Sequence, residues 1–184
     1  MRGLGAVLLA AALTASFAGA AGGRSSARIS LKLHATVRLA GTNVACNSGR
    51  ASGVTYVDCA IVDAAGDAKK GSYLALLGQN GKFDIVTRAS KIVFSKVGGS
   101  MMRESETGLV AHPGDTIALP GINSIFCSAA NVAGKPTIFC DRIDAKGRFP
   151  AGSYAFGFSD SIVTALRWDS KGHAKLVRSW PENG

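Results

Sequence analysis

From Ile29 to Leu39 apolar and polar residues alternate without a break. Ile29, Leu31, Leu33, Ala35, Val37 and Leu39 take one set of positions, and Ser30, Lys32, His34, Thr36 and Arg38 take the other. A period of two marks a strand with one buried face, whereas an amphipathic helix needs apolar spacings of three and four. The pattern predicts one strand over residues 29–39, with His34 on its polar face and Arg28, Lys32 and Arg38 sharing a face. Shorter apolar runs predict further strands over 43–46, 55–62, 73–77, 83–87 and 92–95. A second series is predicted over 124–127, 137–143, 154–158, 161–168 and 175–180. Between them stand turn signals. Asp63-Ala64-Ala65-Gly66 and Asp144-Ala145-Lys146-Gly147 have Asp first and Gly fourth, as type I turns prefer. Gln79-Asn80-Gly81 contains the Asn-Gly of a tight hairpin, and Ser170-Lys171-Gly172-His173 is a further turn. Many short strands at this spacing predict an all-β sandwich or barrel.

The two series resemble each other because the chain resembles itself. Shifted by 81 residues, Cys46 falls on Cys127, Cys59 on Cys140, Asp63 on Asp144, Gly66 on Gly147, and Gly71-Ser72-Tyr73 on Gly152-Ser153-Tyr154. From Cys46 to Tyr73 there are 9 identities in 28 ungapped positions, where chance gives about two. With one residue of slippage, 36–41 resembles 116–121. We therefore expect two tandem copies of one unit, 29–97 and 109–184, joined by a Gly-containing connector at 98–108. A unit of this size has a marginal core alone, so the copies are expected to pack as one body. The repeat also bears on the four cysteines. If each unit closes its own pair, Cys46–Cys59 and Cys127–Cys140 staple two short hairpins, each worth about 3 kcal/mol in the chain-entropy model. Pairing between copies is the alternative, since four cysteines permit three connectivities.

The N-terminus gives the compartment. Arg2, the apolar stretch 4–17 and Ala18-Gly19-Ala20 follow one another as charge, apolar core and small-residue exit. That is the order of a secretory signal over residues 1–20. The run is shorter than the roughly 20 residues of a membrane span, and no second long apolar run follows. An exported chain with an even cysteine count fits a disulfide framework, secreted or periplasmic.

Charge adds a weak functional hint. The chain has net charge +9, and removing residues 1–20 takes away Arg2 alone, leaving 20 Lys and Arg against 12 Asp and Glu. An excess of that size attracts anionic surfaces softly. No run of five or six basic residues marks a dedicated polyanion arm. Aromatic residues are few and not interleaved with Lys or Arg, so no specific nucleic-acid partner is expected.

Candidate chemistry is sparse. His34, His112 and His173 have no spacing that pairs them on one element, and cysteines in disulfides cannot bind zinc. His112-Pro113-Gly114-Asp115 reads as a turn. There is no nucleophile elbow or S-x-x-K. Asp63 and Asp144 each cap their own turn in the simplest reading. Tyr73 and Tyr154 open matched strands and read as architectural. The sequence assigns no catalytic, cofactor or metal residue. It points to an exported, non-enzymatic binding or structural β-module, with a protein or glycan as possible ligand. The alternatives are an exported hydrolase with a dispersed active site and a weak polyanion binder.

Overall fold

The computed structural model describes residues 25–63, 68–69, 71–86, 109–119 and 124–181. The expected signal peptide, the strand at 92–95, the connector at 98–108 and Gly66 lie outside the described residues. Within them the protein is all-β, with thirteen strands in two sheets. The larger sheet orders β1 (Arg28–Ser30), β8 (Thr116–Ala118), β9 (Ile125–Val132), β10 (Lys135–Arg142), β11 (Tyr154–Phe158), β12 (Ile162–Trp168) and β13 (Ala174–Pro181). The smaller sheet orders β6 (Phe83–Val86), β5 (Leu74–Gly78), β4 (Val54–Ile61), β3 (Val44–Ala51), β2 (Thr36–Leu39) and β7 (Leu109–Ala111). Among the described residues neither sheet closes on itself, so the architecture is sandwich-like and the barrel alternative is set aside.

The predicted strand over 29–39 is broken in two. Its first part, β1, pairs parallel with β8 in the larger sheet, and its second part, β2, pairs with β3 and β7 in the smaller one. A turn at 32–35 makes the crossing. The Ala35 N–H donates to Lys32 O at 2.9 Å, and His34 sits at φ 64°. Leu31 is buried at the crossing and Leu33 is 42% exposed. Alternation therefore continues in the sequence while the chain changes sheets. Arg28, Lys32 and Arg38 consequently do not share a face. They lie on the larger sheet, in the turn and on the smaller sheet.

The same crossing occurs in the second half. The Asp115 N–H donates to His112 O at 2.9 Å, and Gly114 takes φ 99°. Each half thus gives its first strand to the other's sheet. Ile29 lies opposite Ile117, and Leu109 opposite Val37. The remaining pairings match at offsets of 80 or 81. Cys46 opposes Cys59 and Cys127 opposes Cys140; Cys59 opposes Ala75 and Cys140 opposes Phe156. The hairpins β3–β4 and β9–β10 turn through Ser52-Gly53 and Ala133-Gly134, all four at positive φ. This is the type I′ geometry that suits the strand twist.

One core fills the space between the sheets. Val37, Leu39, Val44, Val57, Ile61 and Leu77 from the smaller sheet meet Ile117, Ile125, Ile138, Phe156, Phe158 and Val163 from the larger. Large apolar side chains of this kind each contribute about 1.5–3 kcal/mol on full burial. All four cysteines belong to the same core.

Candidate functional site

The residues singled out by the repeat hold the scaffold. Cys46 is bonded to Cys59 and Cys127 to Cys140, each bridging directly opposed residues of a hairpin. Gly71 and Gly152 take φ 87° and 80°. The serine after each then folds back, Ser72 Oγ donating to Lys69 O at 2.7 Å and Ser153 Oγ to Pro150 O at 2.6 Å. Asp144 Oδ1 accepts the N–H groups of Lys146 and Arg148, and Gly147 closes the turn at φ 73°. These bonds, the backbone N–H of Arg148 foremost, hold its carboxyl below the usual carboxylate range. Asp63 is exposed just beyond β4.

Tyr73 and Tyr154 lie at the rim between the sheets, among other rings and two cations. Tyr154 stacks on Phe83 with centroids 5.5 Å apart, and Arg167 lies 5.6 Å over its ring. Tyr73 meets Trp180 at 6.4 Å, and Arg178 lies 5.1 Å over that indole. The cations come from the β12–β13 ribbon, in which β12 is the counterpart of β6 and β13 lies beyond it. Lys175, Arg178 and Trp180 oppose Arg167, Ala165 and Val163, which alternate along β12 and share its core-facing side. A register shift at Ala165/Leu166 sets Val177 aside and brings Lys175 and Arg178, three apart, onto one face. An unbroken strand would send them to opposite faces. Arg167, Lys175 and Arg178 are all exposed. Nothing in the sequence signals the shift, so this grouping was not legible there.

A shallow cleft of about 490 Å³ opens at one end of the larger sheet, lined by Asp144, Arg148, Phe149, Asp169 and Lys171 among others. Asp169 repeats the Asp144 arrangement, its Oδ1 accepting the N–H groups of Lys171 and His173. Both carboxylates are thereby occupied: Asp144 also pairs with Arg148 at 2.9 Å, and Asp169 with Lys175 at 3.4 Å. Phe149 stacks on Trp168 at 4.1 Å, and the indole N–H of Trp168 donates to Asp141.

Two carboxyls are buried on the outer faces. Burial pushes Asp58 up to about 8, partly offset by its own backbone N–H, and its Oδ1 has no hydrogen-bond partner. Asp141 is pushed up to about 6, again by burial, with the Trp168 bond working the other way. Neither lies with a histidine. His34 and His112 occupy the two crossing turns. His173 lies 3.8 Å from Asp169, with its side chain 71% exposed. The serine hydroxyls of Ser48, Ser72, Ser153 and Ser159 donate to nearby carbonyls. Among the described residues no three His, Cys, Asp or Glu gather as a metal site, and no helix is long and apolar enough to cross a membrane.

The chain matches no family model, no curated protein and no solved structure. The ribbon therefore stands on its own geometry as the candidate site.

Proposed function

We propose that this protein is an exported, non-enzymatic binding module, built from two copies of one β unit, whose contact surface is the β12–β13 ribbon. The secretory pattern of residues 1–20 and two disulfides support export. The matched pairings of the two halves support the duplication. One observation carries the binding reading: an eight-residue edge strand, exposed along almost its whole length, that together with β12 sets three cations and an aromatic rim on one face. Exposed apolar surface rimmed by polar groups marks interaction sites. The hydrolase reading has less support, because the carboxylates nearest a histidine are occupied in turns.

Removing the ribbon's charge tests the proposal. The triple substitution Arg167→Ser, Lys175→Ser, Arg178→Ser should leave the far-ultraviolet circular dichroism unchanged and weaken binding of an anionic probe such as poly-glutamate. Trp180 fluorescence reports on the ribbon directly. Equal affinity of the triple variant and the parent would rule out the ribbon as the contact surface.

A further inference from the structure

Within the described residues the sheets end in β1, β13, β6 and β7. Of these, β1 covers three described residues, β7 three and β6 four. β13 has eight, ends the order of the larger sheet and is exposed at every position but Trp180. Leu176 and Val177 are 62% and 54% exposed. Such an edge offers a row of backbone donors and acceptors to another strand.

Charge selects what the edge can accept. Between Ile162 and Pro181 stand Arg167, Lys171, Lys175 and Arg178 against Asp169 alone, and Asp169 already holds Lys175. A second copy of this chain would bring two such basic ribbons together, and like charges brought opposite one another destabilise strand pairing. An acidic strand meets opposite charge on the face where Arg167, Lys175 and Arg178 converge. Lysines on an edge are a known guard against self-pairing; here the same cations discriminate between partners. Pro181 has no N–H, so pairing stops at the end of β13.

Resting on the reading of the ribbon as the contact surface, we propose that β13 takes up an extended acidic segment of a partner protein as an eighth strand of the larger sheet. Main-chain bonds supply the affinity, and alternating carboxylates facing Arg167, Lys175 and Arg178 supply the selection. This is the strand-addition mode of peptide recognition.

The experiment uses the oxidised protein and a capped ten-residue peptide alternating Glu with Val, titrated at 0.15 M salt. Backbone amide shifts of the labelled protein report where it binds. Three comparison probes are its Lys counterpart, the Glu peptide with alternate backbone nitrogens methylated, and a heparin-derived tetrasaccharide. The proposal expects the Glu peptide to shift β13, the Lys peptide not to bind, and methylation of the pairing edge to weaken binding about tenfold or more. Exchanging Lys175→Glu and Arg178→Glu should reverse the preference to the Lys peptide. If methylated and unmethylated peptides bind equally at the ribbon, strand addition is wrong while the ribbon remains the contact surface. If the tetrasaccharide binds the ribbon and the Glu peptide does not, the partner is an anionic glycan and the proposal is overturned. If no probe perturbs the ribbon, both readings fall.

Discussion

The two halves pair their strands alike and differ on their outer faces. Strands β2 to β6 and β8 to β12 pair through equivalent residues, and each half completes the other's sheet with its first strand. Among the described residues, only the second half goes on to a further strand, β13. On the outer faces, the position of Asp58 in β4 is taken by Phe139 in β10, and that of Asp141 by Ala60. Phe139 packs over Gly157, directly opposite it on β11. Asp58 is 5% exposed with an oxygen lacking a partner. Inner positions that share one core carry the same chemistry, Cys opposite Cys and apolar residues around them. Outer positions, which the core does not constrain, carry what is particular to each half.

The disulfides give the strongest test of equivalence. Both close loops of the same span, with a sequence separation of 13, inside one core. Replacing Cys46 and Cys59 by Ser, or Cys127 and Cys140, should each cost about 2–5 kcal/mol. Thermal unfolding should show losses of similar size. A half that tolerates the loss with an unchanged melting temperature would break the comparison.

A smaller effect separates the halves at Asp58. Its carboxyl is raised from 3.8 to about 8, so the folded state holds a proton that the unfolded chain releases. That contribution is present in full at acid pH and is lost as pH rises from about 4 to 8, at up to ~1.4 kcal/mol per pH unit. Asp141, raised to about 6, adds the same sign over a narrower window. Asp58→Asn should flatten the slope and gain roughly 2–4 kcal/mol at pH 8 relative to pH 5. Denaturant titrations at the two pH values decide this. Equal pH slopes for the parent and the Asp58→Asn variant over that range would show that Asp58 does not take up a proton on folding.

Smaller again is the cost at the matched turns. Gly71→Ala and Gly152→Ala both force alanine to φ near 80°, costing about 1–2 kcal/mol each. A Cβ at Gly71 meets nothing within 4 Å, while one at Gly152 meets Arg167 at 3.5 Å. That is ordinary contact, so the two losses should be alike. The smallest effect is expected at the ribbon: Lys175→Ser with Arg178→Ser should change stability by no more than about 0.5 kcal/mol.

The inner scaffold was legible because its signals are local and occur twice. Cysteine spacing, the Gly-Ser-Tyr triplet and the Asp-x-x-Gly turns each report on a few neighbouring residues. The crossing at 32–35 was missed because Leu33 and His34 continue the alternation through a turn. Its counterpart, His112-Pro113-Gly114-Asp115, shows the turn openly, and the one-residue slippage of the repeat aligns His34 with Gly114. The ribbon's basic face was hidden for another reason. Lys175 and Arg178 meet only because Val177 is set aside, and that depends on pairing with β12 rather than on any local residue pattern.

Amide hydrogen exchange with and without the acidic peptide tests the account's central claim, that β13 is the recognition edge. Free protein should exchange quickly along residues 174–181 and slowly in β4, β9 and β10. On addition of the Glu peptide, new protection should appear in β13 and leave β1, β6 and β7 as they were. Protection confined to the turns at 144–148 and 169–173, with β13 unchanged, would move the site to the cleft and contradict the account.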